Sequence, residues 1–283
     1  MILEIEHVLT YSYSAPVSLN PHYLYLTPKS SPYQQILDHQ MNISPKPSYL
    51  VKNLDQEDNL QHVCYFQDKH EVFEVGTYTR IKTEDFNTLD FVLYPFEAAN
   101  MPINYRGKLG VFGDKYIANK VLDSEVLAYG KAIADRTNYK TMDFLMEVCK
   151  CIKKDFSYVS RERGDAESSL YTLQHKEGSC RDFSVLMMDI CASFGILARF
   201  VSGYLFGSEL HEHDLHAWVE VLLPGGGWRG FDPTEGQVVN KNYIALASSI
   251  EPLGLNPVRG TFRGPQGVDS VLKTKVKIAK RLY

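Results

Sequence analysis

Apolar positions from Met1 to about Lys115 fall mostly at alternate residues, in short runs separated by turn residues. ILEIEHVLTYSY, PHYLYLTP, LQHVCYF and KHEVFEVGTYTRI read as strands, and Pro16 predicts a break after the first. An all-β, sandwich-like module is expected over residues 1–118. Its tyrosines and phenylalanines suit a pleated surface, so strand packing is their expected use, ahead of a ligand surface.

Near Ser124 the period lengthens. SEVLAYGKAIADRT offers Ser124 as an N-cap and Val126, Leu127 and Ile133 as one apolar side, while TMDFLMEVCKCIKKDF repeats Phe144, Val148 and Ile152 at helical spacing. Two helices are expected here. Cys149 and Cys151 are two apart and do not face each other on a helix. Without a second pair nearby they read as core and boundary thiols rather than a zinc or redox pair. RERGDAESSL predicts a surface loop leading into a short helix near Ser168 to His175. After Asp232, PLGLNPVRGTFRGPQG reads as irregular loop, and the alternation of SVLKTKVKIAK predicts an edge strand whose lysines protect it. Residues 119–283 are therefore expected to form a mixed core of helices and strands, its last strand free to pack elsewhere.

Composition narrows the function classes. With 283 residues, 44% of them hydrophobic, the chain can bury a real core. Thirty Lys and Arg against 34 Asp and Glu give a net charge of -4, which argues against a nucleic-acid partner. Glu4 and Glu6 interrupt the first apolar run, and no stretch of about 18 apolar residues follows, so neither a secretion signal nor a membrane span is expected. Five cysteines, an odd number, fit reduced thiols in a cytoplasm better than a disulfide framework.

The run GSCRDFSVLMMDICASFGILARFVSGYL carries the first candidate chemistry. Gly178 can supply a sharp turn, Ser179 an N-cap and Asp182 the third helical position of a capping box, so a helix is expected to begin at Cys180. Phe183, Met187, Ile190 and Phe194 make its apolar stripe, and Gly195 ends it. Orphan N–H groups and the helix dipole favour a thiolate at Cys180. Taken alone, Cys180 still reads as a buried structural thiol, the common fate of free cysteine. Cys191, deep in the same helix, is assigned to packing.

The second run is HDLHAWVEVLLPGGGWRGFDPTEG. Alternation puts His216, Trp218 and Glu220 on one strand face, and Trp228, Gly230 and Asp232 on one face of the return strand. Two registers are open. If Leu223 pairs with Gly227, Trp218 lies opposite Asp232 and His216 is its diagonal neighbour; if Leu223 pairs with Trp228, the two side chains point to opposite faces. His211, His213 and His216 also invite a zinc reading, but their spacing matches no familiar site, so His211 and His213 are expected to be structural or surface residues.

Together these runs resemble the transglutaminase-like superfamily, papain-like cysteine enzymes, most closely the bacterial type with an N-terminal β module. The matching stretches are Gly178-Ser179-Cys180-Arg181-Asp182-Phe183, Gly195-Ile196, Ala198 to Tyr204, His216-Ala217-Trp218-Val219-Glu220, and Gly227-Trp228 leading to Phe231-Asp232-Pro233-Thr234. The likeness is specific over about Ser124 to Asn240. It implies an α+β fold, a β-sandwich-like module followed by a transglutaminase-like, papain-like catalytic core. It also implies Cys180 as nucleophile, His216 as base and Asp232 as the acid that orients it, with Asp182 and Trp218 in supporting places. Asp55-Gln56-Glu57-Asp58-Asn59 resembles the family's Asp-x-x-Gly-Asn turn with Asp58 replacing glycine, a turn that survives if Asp58 accepts the backbone angles.

The implied chemistry is acyl transfer on a peptide or carboxamide through a thioester, with the Cys180 backbone N–H as first oxyanion donor. Gln174, by its papain-type spacing, and Tyr158, by its hydroxyl, are candidates for the second. Hydrolysis is the expected outcome, transamidation of protein glutamine the alternative. A further alternative is a noncatalytic scaffold whose β module binds protein or glycan. The steps call for no cofactor or metal, and the expected partner is a peptide or protein amide, with neither nucleic acid nor membrane involved.

Overall fold

A computed structural model describes the chain except residues 106, 108, 109, 111, 112, 114–121, 162, 163, 209–214, 252–254, 282 and 283. The N-terminal region is a sandwich of two antiparallel sheets. Strands β1 (Ile2–Leu19), β2 (His22–Leu24), β3 (Gln34–Ser44), β4 (Tyr49–Leu54), β5 (Leu60–Tyr65) and β6 (His70–Thr83) build most of it. One sheet runs β1-β6-β3, the other β2-β5-β4. Alternate residues Leu9, Val17, Leu24, Phe73 and Val75 are buried between them, as a period of two requires.

Pro16 does not end the first strand. The register with β6 shifts between Ser12 and Val17, so the proline, which has no N–H to donate, occupies a bulge while the strand continues. Strands β3 and β4 were not read from the sequence because their residues are mostly half-buried or exposed, which leaves little apolar alternation to see.

The second region begins with α1 (Ser124–Arg136) and α2 (Thr141–Asp155). Asp123, not Ser124, caps α1, its carboxylate accepting from the Glu125 N–H at 2.8 Å. Val126 and Ile133 are buried, but Leu127 faces solvent at 42% exposure, so the apolar stripe is narrower than predicted. On α2, Phe144, Val148 and Ile152 are fully buried, with Cys149 and Cys151 beside them. Then come β7 (Ser157–Tyr158), α3 (Ser169–His175), β8 (Glu177–Gly178) and α4 (Cys180–Ser193). The core sheet follows: β9 (Ala198–Leu205), β10 (His216–Leu223), β11 (Gly227–Asp232), β12 (Gln237–Val238) and β13 (Tyr243–Ser249), in spatial order β12-β11-β10-β9-β13. All five cysteines are buried.

The chain then returns to the sandwich. Within the segment read as irregular loop, β14 (Val258–Arg259) pairs with β2 and β15 (Phe262–Arg263) with the end of β1. The terminal strand β16 (Ser270–Lys280) runs antiparallel along β1 from Leu3↔Lys280 to Tyr13↔Ser270 and forms the edge of that sheet.

Several contacts among the described residues fasten the sandwich to the core, among them one apolar cluster and one turn. Leu3, Ile5, Ile81 and Val276 pack against Tyr204, Ile244 and Leu246 in one buried cluster. The turn is Asp55–Asn59. Asp58 adopts φ +58°, the left-handed angle that glycine would supply, and Asp55 Oδ1 accepts from the Glu57 and Asn59 N–H groups at 2.9 Å each. Asn59, fully buried, then donates to the Ser248 carbonyl and accepts from the Ser248 N–H, both at 2.8 Å, and accepts from Lys29 Nζ at 2.8 Å.

Candidate active site

The site starts from how α4 begins. Asp182 Oδ2 accepts from the Ser179 N–H at 2.7 Å and from its hydroxyl at 2.8 Å, a capping box that makes Cys180 the first helical residue. Gly178 serves this arrangement differently from expected. It lies in the short strand β8, and a Cβ there would stand 2.9 Å from Asp182 Cβ, so its role is close approach rather than a turn.

The other oxygen of Asp182 reaches across the site. Oδ1 accepts from Arg161 Nη2 at 2.6 Å and from the Glu167 N–H at 2.7 Å. Arg161 also pairs with Glu167 at 2.9 Å, and Arg181 donates to the Gly164 and Arg161 carbonyls at 2.6 Å each. The charged loop before α3 is thus stapled to the start of α4. The sequence showed its charge but not this anchoring, because Arg161 and Asp182 share no local pattern.

Strand register brings the second half together. Leu223 pairs with Gly227 and Val219 with Phe231, the register that sets His216 diagonal to Asp232. His216 Nε2 and Asp232 Oδ2 are 2.7 Å apart, both side chains fully buried. Tyr243 donates to the same oxygen at 2.8 Å, and Oδ1 accepts from the Thr234 and Glu235 N–H groups at 2.8 and 3.1 Å. Gln237 in turn donates to the Tyr243 hydroxyl at 3.0 Å. The Trp218 ring lies nearly parallel to His216 at 6.1 Å and meets Tyr243 edge-on at 5.3 Å. Tyr243 was not anticipated; it comes from a strand beyond the motif.

Cys180, 6% exposed, stands beside the His216 ring and interacts with it electrostatically. With Nε2 committed to Asp232, Nδ1 is the ring nitrogen available for chemistry at the sulfur. Burial works against a charged His216, yet the Asp232 charge, its hydrogen bond and the interaction with Cys180 raise the imidazole above its ordinary value. Burial works against a charged Asp232 too, but His216, then Tyr243 and the Glu235 N–H, hold the carboxyl below its ordinary range. The pair is ionic.

Tyr158 of β7 lies beside Gly178 of the parallel strand β8 and lines a cleft of about 400 Å³ with Ser179, Cys180 and His216. Gln174 is not there. It sits exposed on the last turn of α3 and donates to Glu125 at 3.0 Å; Lys176 in the left-handed conformation and strand β8 separate it from Cys180. His211 and His213 lie outside the described residues. Among the described residues no group of three or more metal-ligating side chains is gathered, and no helix is long and apolar enough to cross a membrane.

A cysteine at a helix N-terminus facing a histidine and an acid on neighbouring strands is the layout of papain-like folds. Residues 3–82 match the bacterial transglutaminase-like N-terminal region, and residues 128–233 match the transglutaminase-like superfamily. Residues 128–233 are thus a transglutaminase-like region, preceded by an N-terminal module of the bacterial transglutaminase-like type. It is 23% identical over 274 residues to an uncharacterized protein of Mycobacterium leprae, spanning 94% of this chain and 95% of the relative. A protein-glutamine gamma-glutamyltransferase of Pseudomonas aeruginosa is 38% identical over 68 residues, 21% of this chain and 10% of that one. The crystal structure of a Cytophaga hutchinsonii protein proposed to be a cysteine protease superposes with a TM-score of 0.74 at 17% identity, covering 100% of this chain and 92% of that chain.

Proposed function

We propose that the protein is a cysteine-dependent acyl-transfer enzyme acting on a peptide or carboxamide, with hydrolysis as its outcome. The observation that carries this reading is the buried line Cys180, His216, Asp232 opening on a cleft. Asp232 holds the His216 imidazolium through Nε2, and the proton on Nδ1 is the one given up by Cys180, so that the resting pair is thiolate and imidazolium. The sulfur attacks the carbonyl carbon, the oxygen gains the negative charge, and the Cys180 N–H, an orphan donor at the helix start, meets it. The Tyr158 hydroxyl, on the same cleft, is the second donor. Collapse to the thioester expels the amine with the proton from His216, and water then releases the acid.

Hydrolysis is preferred because exposed Ser160 and Asp165 form part of the lining and bring solvent to the thioester. Transamidation is the second reading, favoured by the local likeness to the Pseudomonas enzyme. A labelled carboxamide incubated with and without excess primary amine and followed by mass spectrometry separates the two. Free acid in both samples supports hydrolysis; exclusive amine adducts overturn it. Cys180→Ala is expected to lower turnover by at least ~10³-fold without unfolding the chain. Iodoacetamide mapped by mass spectrometry tests the nucleophile directly. A Cys180 that alkylates no faster than Cys149 or Cys191 leaves only a scaffold.

A further inference from the structure

The cleft over Cys180 has a wall that the core does not supply. Leu9 and Tyr11 of β1 and Leu272 and Thr274 of β16 line it together with Phe200 and Ala217 of the core sheet. Leu9 pairs with Thr274 and Tyr11 with Leu272, so the four side chains form one cross-strand patch on the sandwich. Resting on the acyl-transfer reading above, we propose that this patch is the specificity wall for the acyl half of the substrate, and that it selects a peptide with a large aliphatic or aromatic side chain beside the scissile carbonyl.

The chemistry of the lining points to such an occupant. Leu255, Pro257 and Val258 continue the apolar surface. Of the nearby cations, Arg161 is paired with Asp182 and Glu167, and Arg181 is spent on two carbonyls. An acidic acyl side chain pressed against the patch loses hydration and meets Asp165 in the same lining, with both arginines already engaged, whereas an apolar one gains by leaving water. The acyl half is the part affected, because the thioester keeps it beside Cys180 through both half-reactions, after the amine has left. The N-terminal module is then one side of the reaction site and not a separate binding unit.

Three reagents on the full chain test this: iodoacetamide, which ignores the wall, and acetyl-leucyl and acetyl-glutamyl chloromethyl ketones, which present their side chains to it. In each ketone the sulfur forms the S–C bond as chloride leaves. Labelling of Cys180 is timed by mass spectrometry. In the wild-type chain the leucyl reagent is expected to react at least tenfold faster than the glutamyl one. Leu272→Lys, at a half-buried position on an edge strand, is expected to reduce or reverse that ratio, with both ketone rates divided by the variant's own iodoacetamide rate to remove any change in the sulfur itself. Thr274→Lys is a second variant on the same patch and moves the ratio in the same direction. A leucyl-to-glutamyl ratio near one in the wild-type chain, or one that neither variant changes, overturns the wall and leaves the nucleophile standing. Failure of iodoacetamide to label wild-type Cys180 overturns both.

Discussion

Asp182 and Asp232 are the same residue, equally buried, and each accepts four hydrogen bonds. Their partners differ. Asp182 faces a guanidinium and the N-terminus of α4, whose charges do not change at any working pH. Asp232 faces an imidazole, which can gain or lose a proton during a reaction. Burial and saturation with hydrogen bonds therefore make a carboxylate rigid; the titrating partner alone makes it part of a reactive line. The first carboxylate fixes where the sulfur stands, and the second fixes how the base is held.

The largest effect expected from this contrast is on turnover. Asp232→Asn is expected to cost ~10³–10⁴-fold in kcat at neutral pH, because an amide can favour the wrong imidazole tautomer, and to leave the fold in place. Retention of turnover within tenfold would remove Asp232 from the line. The next effect is on stability. Asp182→Ala leaves Arg161 and the Ser179 and Glu167 N–H groups without their acceptor, and unfolding in urea is expected to show a loss of about 3 kcal/mol. An unchanged midpoint would show that the capping network carries no load.

The smallest effect is a pH dependence. His216 is raised above 6.5 in the fold, so its contribution to stability is complete below that value and fades as the pH rises through the higher folded one. Asp232 is lowered below 3.8, so its contribution is complete above that value and fades as the pH falls. The stability difference between the wild-type chain and Asp232→Asn is expected to be greatest between those two ordinary values and to shrink on both sides, by about 1–2 kcal/mol in urea titrations. A flat difference would break the ionic pair.

The parts of this site that sequence revealed are those written in short spacings. The capping box spans four residues, the β10–β11 register is set by the turn at Pro224–Gly226, and the Asp55–Asn59 turn is local. Arg161 and Tyr243 were hidden because nothing in their own neighbourhoods encodes the carboxylates they meet. Gln174 misled for the complementary reason: spacing along the chain says nothing about which side of a short helix a residue occupies, and there it faces water. In the sandwich, the strands with strong alternation were legible and the polar β3 and β4 were not.

The pairing of β1 with β16 orders events in time. Leu9 and Tyr11 leave the ribosome early, Cys180 and His216 later, and Leu272 and Thr274 after every other side chain named in the cleft. A nascent chain can gather sulfur, imidazole and carboxylate while one flank is still missing, and closing it means joining segments at opposite ends of the described sequence, a slow step in any folding reaction. The wall proposed for the acyl half therefore closes only after the segments carrying Cys180, His216 and Asp232 have been made.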